Sequence, residues 1–256
     1  MKPLKRLIQF LIIYIAGIGL LWATKYSLGL SDYLIPPPHE LLKTLRQDGL
    51  DYLLASLNTL VVAIQGHALA IALACVVGLL GSMRSTIGAI TRTAAYNLQA
   101  YPIVAVSPII FLFLGDGLAS RLIIAALICY FPLLLSLIGI FSQPVDDIEH
   151  FFNETGMMNW RLRIGIRVFE NIEKLITVLV GSGTMAMVGT IVAEFLAATH
   201  GIGYVIRKAL YQDNLASILL ALFLIGLCSS IYLSFIELFG AMIKNKLQGD
   251  ANNNEI

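Results

Sequence analysis

PVDDIEHFFNETGMMNWRLRIGIRVFENIEK, residues 144–174, decides how the rest of the chain is read. It is a polar, charged island in a chain that is 58% hydrophobic and only 13% charged, with a mean hydropathy of +0.82. Soluble domains average about 25% charged residues, so the composition is that of an integral membrane protein. On both sides of the island lie apolar runs that meet the roughly 20 residues a helix needs to cross a bilayer. The island itself cannot sit in hydrocarbon and must lie in water at one membrane face. Arg161, Arg163, Arg167 and Lys174 concentrate Lys and Arg in it, and it is the Lys/Arg bias rather than net charge that predicts the cytoplasmic side. The expected fold is all-α.

The same composition narrows the function classes. The formal net charge is +1 with no long basic block, so nucleic acid is not an expected partner; the lipid bilayer is. Cys75, Cys129 and Cys228 each lie inside an apolar run without CxxC or Cys/His spacing. They read as small apolar fillers rather than a metal site or disulfide framework. No GxxxxGK[ST], HExxH or GxSxG pattern occurs, so neither bound nucleotide nor catalysis is expected of this chain.

Taken in order, the chain predicts about six spans. Leu7–Ala23 reads as a retained first helix behind Lys2, Lys5 and Arg6, because its apolar part exceeds the usual ~7–15-residue core of a secretory signal. Pro36, Pro37 and Pro38 read as an extended link. His39 to Gly49 reads as a short amphipathic helix stopped by the glycine. The second span is expected over about Leu53–Ser82. The third, about Ile87–Leu114, is broken by Pro102 and Pro108. The fourth covers about Leu118–Phe141, the fifth about Leu175–Ala198 and the sixth about Leu215–Met242. The chain thus divides into 1–52, the first helix and amphipathic segment; 53–242, the core with the 144–174 loop; and 243–256, a polar tail expected to be disordered. With both termini inside, the inside segments carry Lys2, Lys5, Arg6, Arg84, Arg92, Arg161, Arg163, Arg167, Lys174, Lys244 and Lys246. The outside keeps Lys25, Lys43, Arg46, Arg121, Arg207 and Lys208, a bias that agrees with this orientation.

Polar residues inside apolar runs usually face a bundle interior. Asn58, Gln65, His67, Gln99, Tyr101 and Glu194 are therefore candidates to line or gate a path, beside the helix-breaking Pro102 and Pro108. Interhelical hydrogen bonding is the competing reading for Asn58, Gln65 and His67, and a helix–loop contact for Glu194. Arg121 reads as an anchor at the outer interface. An ion-coupled carrier would carry ionisable groups at the midplane; Glu194, the best candidate, lies near a helix end.

The chain resembles the permease subunits of bacterial ABC importers of the nitrate/sulfonate/taurine type. LIPPPHELLKTL looks like that family's Leu-Pro-x-Pro-x-Glu-Val segment. Pro102, Ala105, Pro108, Gly115, Gly117, Ser120 and Arg121 follow its Pro-x-x-Ala-x-x-Pro-Leu…Phe-Gly-x-Gly…Ser-Lys pattern. Phe131, Pro132 and Gly139 resemble its Phe-Phe-Pro-Ile…Gly segment. Ala193, Glu194, Gly201, Gly203 and Tyr204 resemble its Ala-Glu…Gly-Leu-Gly-Tyr signature. The four pieces occur in order and span nearly the whole chain.

The resemblance implies a type I importer permease in the bacterial inner membrane, working with a second permease as a homodimer or heterodimer. It implies a periplasmic substrate-binding protein and ABC ATPase subunits that hold the ATP and Mg. The 144–174 island falls where the family keeps its coupling loop. Gly156 keeps the loop glycine, while His150-Phe151-Phe152 stands in the Glu-Ala-Ala slot, with Glu149 one residue early. Glu149, Phe151, Phe152, Gly156 and Trp160 are the expected docking residues. This departure leaves open a second reading, a divergent subunit that mainly anchors or scaffolds a complex. The resemblance extends to small anions such as sulfonates or nitrate, or to thiamine-precursor pyrimidines, as solutes.

Overall fold

The computed structural model describes residues 2–83 and 86–253, with side chains for 5–83 and 86–247. Arg84, assigned above to the inside, and the last three residues of the tail lie outside the described residues. Ten helices follow one another among the described residues: α1 (Lys2–Leu28), α2 (Pro38–Ser82), α3 (Thr86–Gln99), α4 (Ile103–Leu114), α5 (Leu118–Ser142), α6 (Asp146–Glu154), α7 (Trp160–Glu170), α8 (Ile172–Leu196), α9 (Ile202–Tyr211) and α10 (Leu215–Asn253). Five of them (α1, α2, α5, α8 and α10) are long and apolar enough to cross a bilayer. α3 and α4 together would make a sixth, but they meet at 91°. Pro102 explains the break: it has no amide N–H, it disfavours helical geometry at Tyr101, and it caps α4 in extended geometry (φ −73°, ψ 95°). Pro108, expected to break the segment again, sits inside α4.

Two predicted boundaries are corrected. Gly49 does not stop a helix; α2 runs unbroken for 45 residues from Pro38. Pro38 occupies the first helical turn, where its missing N–H costs no hydrogen bond. A single interior glycine costs only about 1 kcal/mol, and the residues after Gly49 continue the helical pattern. The polar tail, expected to be disordered, continues α10 as helix to Asn253.

The bundle is built around α5, whose Ile124, Cys129, Leu133, Leu134 and Leu137 are buried, with α2 and α8 packed against it. Close approach comes from small residues, as is usual between helices in lipid. A Cβ on Gly66 of α2 would lie 2.8 Å from that of Ala125 on α5, and one on Gly189 of α8 would lie 3.1 Å from the Ala125 Cα. Three helix backbones therefore meet at Ala125. His67, the residue after Gly66 on α2, fastens the helix to two others: its Nδ1 bonds Tyr232 of α10 at 2.6 Å and its Nε2 bonds Ser182 of α8 at 2.8 Å. α1 lies outermost on α10, with Tyr14 donating to the Leu219 carbonyl (2.7 Å) and its ring 4.9 Å from that of Phe223.

Candidate functional site: a polar elbow and a buried ion pair at opposite ends of α5

The 144–174 island folds as two short helices joined by a tight turn. α6 opens with Asp146, Asp147 and Glu149 in its first turn, where acidic groups meet the positive end of the helix dipole. It closes on Gly156 at φ +69°. The Met157 amide donates to the Phe152 carbonyl and the Gly156 amide to the Asn153 carbonyl, both at 3.1 Å. This paired pattern needs a left-handed residue, and glycine adopts it without a Cβ penalty. Asn159 then caps α7, its side-chain oxygen accepting from the Leu162 amide at 2.9 Å.

What holds the elbow to the bundle is Glu149. Its carboxylate accepts from Arg167 Nε (2.6 Å) and Nη2 (2.8 Å), and Arg167 Nη1 donates to the Phe141 carbonyl near the end of α5 at 2.7 Å. The Arg167 hydrogen bonds, with smaller help from the Val145 amide and the Arg163 charge, hold the Glu149 carboxyl below its ordinary pKa. Glu149 was expected on a docking surface. The structure corrects this: the residue is buried, because α6 turns it inward onto α7. Phe151 and Trp160 are the exposed apolar groups at the tip, 62% and 49% accessible, joined by Met157. Phe152 is half-buried and sets its ring edge-on to Phe151, centroids 5.4 Å apart.

The other end of α5 holds Arg121, and Glu194 comes to it from α8. Glu194 is fully buried. Thr59 Oγ1 (2.7 Å) and the Gly203 amide (3.1 Å) donate to one carboxylate oxygen; Arg121 Nη1 donates to the other at 3.2 Å. Thr59 Oγ1 in turn accepts from the Ile202 amide at 2.8 Å, so the carboxylate organises the start of α9. The glycines of the GIG run answer to it directly. A Cβ on Gly201, which lies at φ +91°, would fall 2.1 Å from the Glu194 carboxyl carbon, and one on Gly203 would fall 2.4 Å from the Ile191 carbonyl. Arg121 was expected to anchor the outer interface. It is buried instead, because a charge inside an apolar bundle is stabilised by pairing.

The remaining path candidates separate. Asn58 and Gln65 lie exposed on one face of α2, and Asn58 Oδ1 also accepts from Arg121 at 3.0 Å. Gln99, Tyr101, Pro102 and Pro108 are exposed around the α3–α4 bend. His67, grouped with Asn58 and Gln65 by polarity, is in the core. Sequence reasoning missed the Arg121–Glu194 and Glu149–Arg167 pairs. For Arg121 and Glu194 there was a signal that each needs some partner, since an ionisable group in an apolar run calls for one, whereas the polar island gave no such signal for Glu149 and Arg167. Beside the linker before α2 lies a polar hollow of about 470 Å³, lined among others by Asp32, Tyr33, Glu40, Lys43 and Asp213. Lys25 supports it by donating to Asp32 and to the Ile35 carbonyl, both at 2.6 Å.

No family model matches the chain. Three curated proteins are similar to it. The riboflavin transport system permease protein RibX of Chloroflexus aurantiacus is 35% identical over 129 residues, 48% of this chain and 47% of that protein. A probable ABC transporter permease protein of Haemophilus influenzae is 28% identical over 156 residues, 59% of this chain and 62% of that one. The formylaminopyrimidine transport permease protein ThiX of Halalkalibacterium halodurans is 24% identical over 164 residues, 62% of this chain and 66% of that protein. All three are permease proteins. The matched stretch thus spans from about half to nearly two-thirds of each relative's length, and the chain itself is an all-helical, multi-pass membrane protein.

Proposed function

We propose that this chain is the membrane-spanning permease half of an ATP-driven ABC importer in the bacterial inner membrane. Likeness to three transport permeases carries the reading. The elbow supports it: a rigid two-helix unit presenting Phe151, Met157 and Trp160 has the bulky apolar anchors that fill pockets at protein interfaces. In this reading the elbow is cytoplasmic and is gripped by an ATPase that holds the ATP and Mg. A second permease covers the uncovered face of α2 with Asn58 and Gln65. A binding protein delivers solute to the opposite face, where the polar hollow lies. The chain transmits a two-state change through rigid contacts and performs no chemistry of its own.

The names of the relatives favour a small nitrogen heterocycle of the flavin or pyrimidine kind as solute, over the nitrate, sulfonate or taurine class that the sequence motifs resemble. Arg121 bears on this choice: its charge is taken up by Glu194 and is not offered to an anion.

The test is affinity purification of the full chain from native membranes. A P-loop ATPase is expected to come with it, and Phe151→Asp with Trp160→Asp is expected to cut recovery of that ATPase at least tenfold while the permease remains folded. Cysteines placed at Asn153 and Asn159 are expected to react with impermeant reagents only from the cytoplasmic side. Purification without any ATPase, or labelling from outside, would overturn the reading.

A further inference from the structure

At the elbow end of the bundle a second hollow, of about 410 Å³, lies between the ends of α2 and α5 and the flank of α7. Ser82, Arg92, Ser142, Trp160, Arg163 and Arg167 contribute to its walls. Helix C-termini normally repel anions, but here two of them are already neutralised. Arg92 donates to the Gly81 carbonyl of α2, and Arg167 to the Phe141 carbonyl of α5. Three guanidinium groups line the hollow, and among the described residues the carboxylate that pairs with any of them is Glu149, which meets Arg163 and Arg167 but not Arg92; two positive charges are left in excess.

Two donors are left over. Arg163 keeps 39% of its side chain accessible and forms an ion pair with Glu149 at 3.8 Å, but its Nε is shielded from water and makes no hydrogen bond. Ser142 Oγ is likewise buried without a partner. Native structures rarely leave such groups unpaired, because burial without a partner is costly. Both lie in the walls of one cationic hollow.

We propose that this hollow binds a phosphate group, with Arg163 and Ser142 as its direct donors and Arg92 and Arg167 supplying the field. A tetrahedral dianion matches the excess charge, and its oxygens accept from a guanidinium fork and a hydroxyl together. Trp160 stands at the rim. A phospholipid headgroup and a soluble phosphate share this chemistry, and the site belongs to whichever one saturates it.

The experiment uses the full chain in neutral detergent with Trp22→Phe, which leaves Trp160 as the reporter of the chain's two tryptophans. Dihexanoyl phosphatidic acid, inorganic phosphate and dihexanoyl phosphatidylcholine are titrated while Trp160 fluorescence is followed. A saturable change with phosphatidic acid but not inorganic phosphate assigns a lipid headgroup; equal saturation by both assigns a soluble phosphate. In either case Arg163→Gln is expected to weaken binding about tenfold and Ser142→Ala about threefold, the scale of one charged and one neutral hydrogen bond. Arg161→Gln, on the exposed side of α7, is expected to leave the curve unchanged. No saturation by either phosphate compound, saturation by the zwitterionic lipid alone, or identical curves for the parent and a folded Ser142→Ala would overturn the proposal.

Discussion

Glu194 shows how one buried carboxylate can require several distant residues at once. It accepts from Thr59, Gly203 and Arg121, and its bulk excludes any side chain at Gly201. Replacing one partner of a buried pair leaves the other charge without compensation, which costs about 3–5 kcal/mol. Glu194→Gln is therefore expected to destabilise the detergent-solubilised protein by that order in chemical unfolding. Glu194→Gln with Arg121→Met is expected to recover much of the loss, since the orphaned charge is then gone. Glu149 behaves differently because it sits in the wet elbow. Its carboxyl titrates below the ordinary value of 4.5, so the folded state prefers it ionised. The stability it contributes is complete above that value and is lost as the pH falls through the lower, folded value. Trp160 fluorescence is expected to stay flat from pH 8 to 6 and to change only below about pH 4.5.

At the scale of the helix, α2 shows why the length of an element is harder to read than its existence. Its apolar stretch after Leu53 was legible, as were the starts of α5, α8 and α10. Gly49 looked like a terminator because glycine is common just past helix ends. What decides the matter is the backbone: no proline follows, and the next turn supplies Leu50, Tyr52 and Leu53. The difference is measurable. Inside a continuous helix Gly49→Ala is expected to stabilise by about 0.5–1 kcal/mol, with the Leu45 side chain shifting slightly to admit the new methyl, 3.1 Å away. At a helix terminus in the left-handed conformation the same change would destabilise. Thermal unfolding of the two proteins separates the cases. The polar elbow was legible as an island but not as two helices, since its turn rests on one left-handed glycine and one asparagine cap. The 91° bend at Pro102 was legible as a break, whereas its angle was not.

Across the whole molecule, hydropathy carried the architecture: apolar runs of spanning length, interrupted where proline or charge forbids them, map onto the five long helices and the bent pair. Pairings carried less. Nothing in local sequence says that Arg121 meets Glu194 across 73 positions, or that Gly66 and Gly189 meet the same alanine, because such contacts depend on how helices are arranged rather than on what each one is. The length of α2 has a mechanical consequence. Forty-five residues make a strut of about 68 Å, more than twice the hydrocarbon thickness, and its tightest crossing, at Gly66, is off-centre. Turned about that crossing by about 5°, the strut would swing its proline end by ~4 Å and its serine end by ~2 Å the other way. The arms are unequal, so a small push at the elbow side becomes roughly double the travel at the far side.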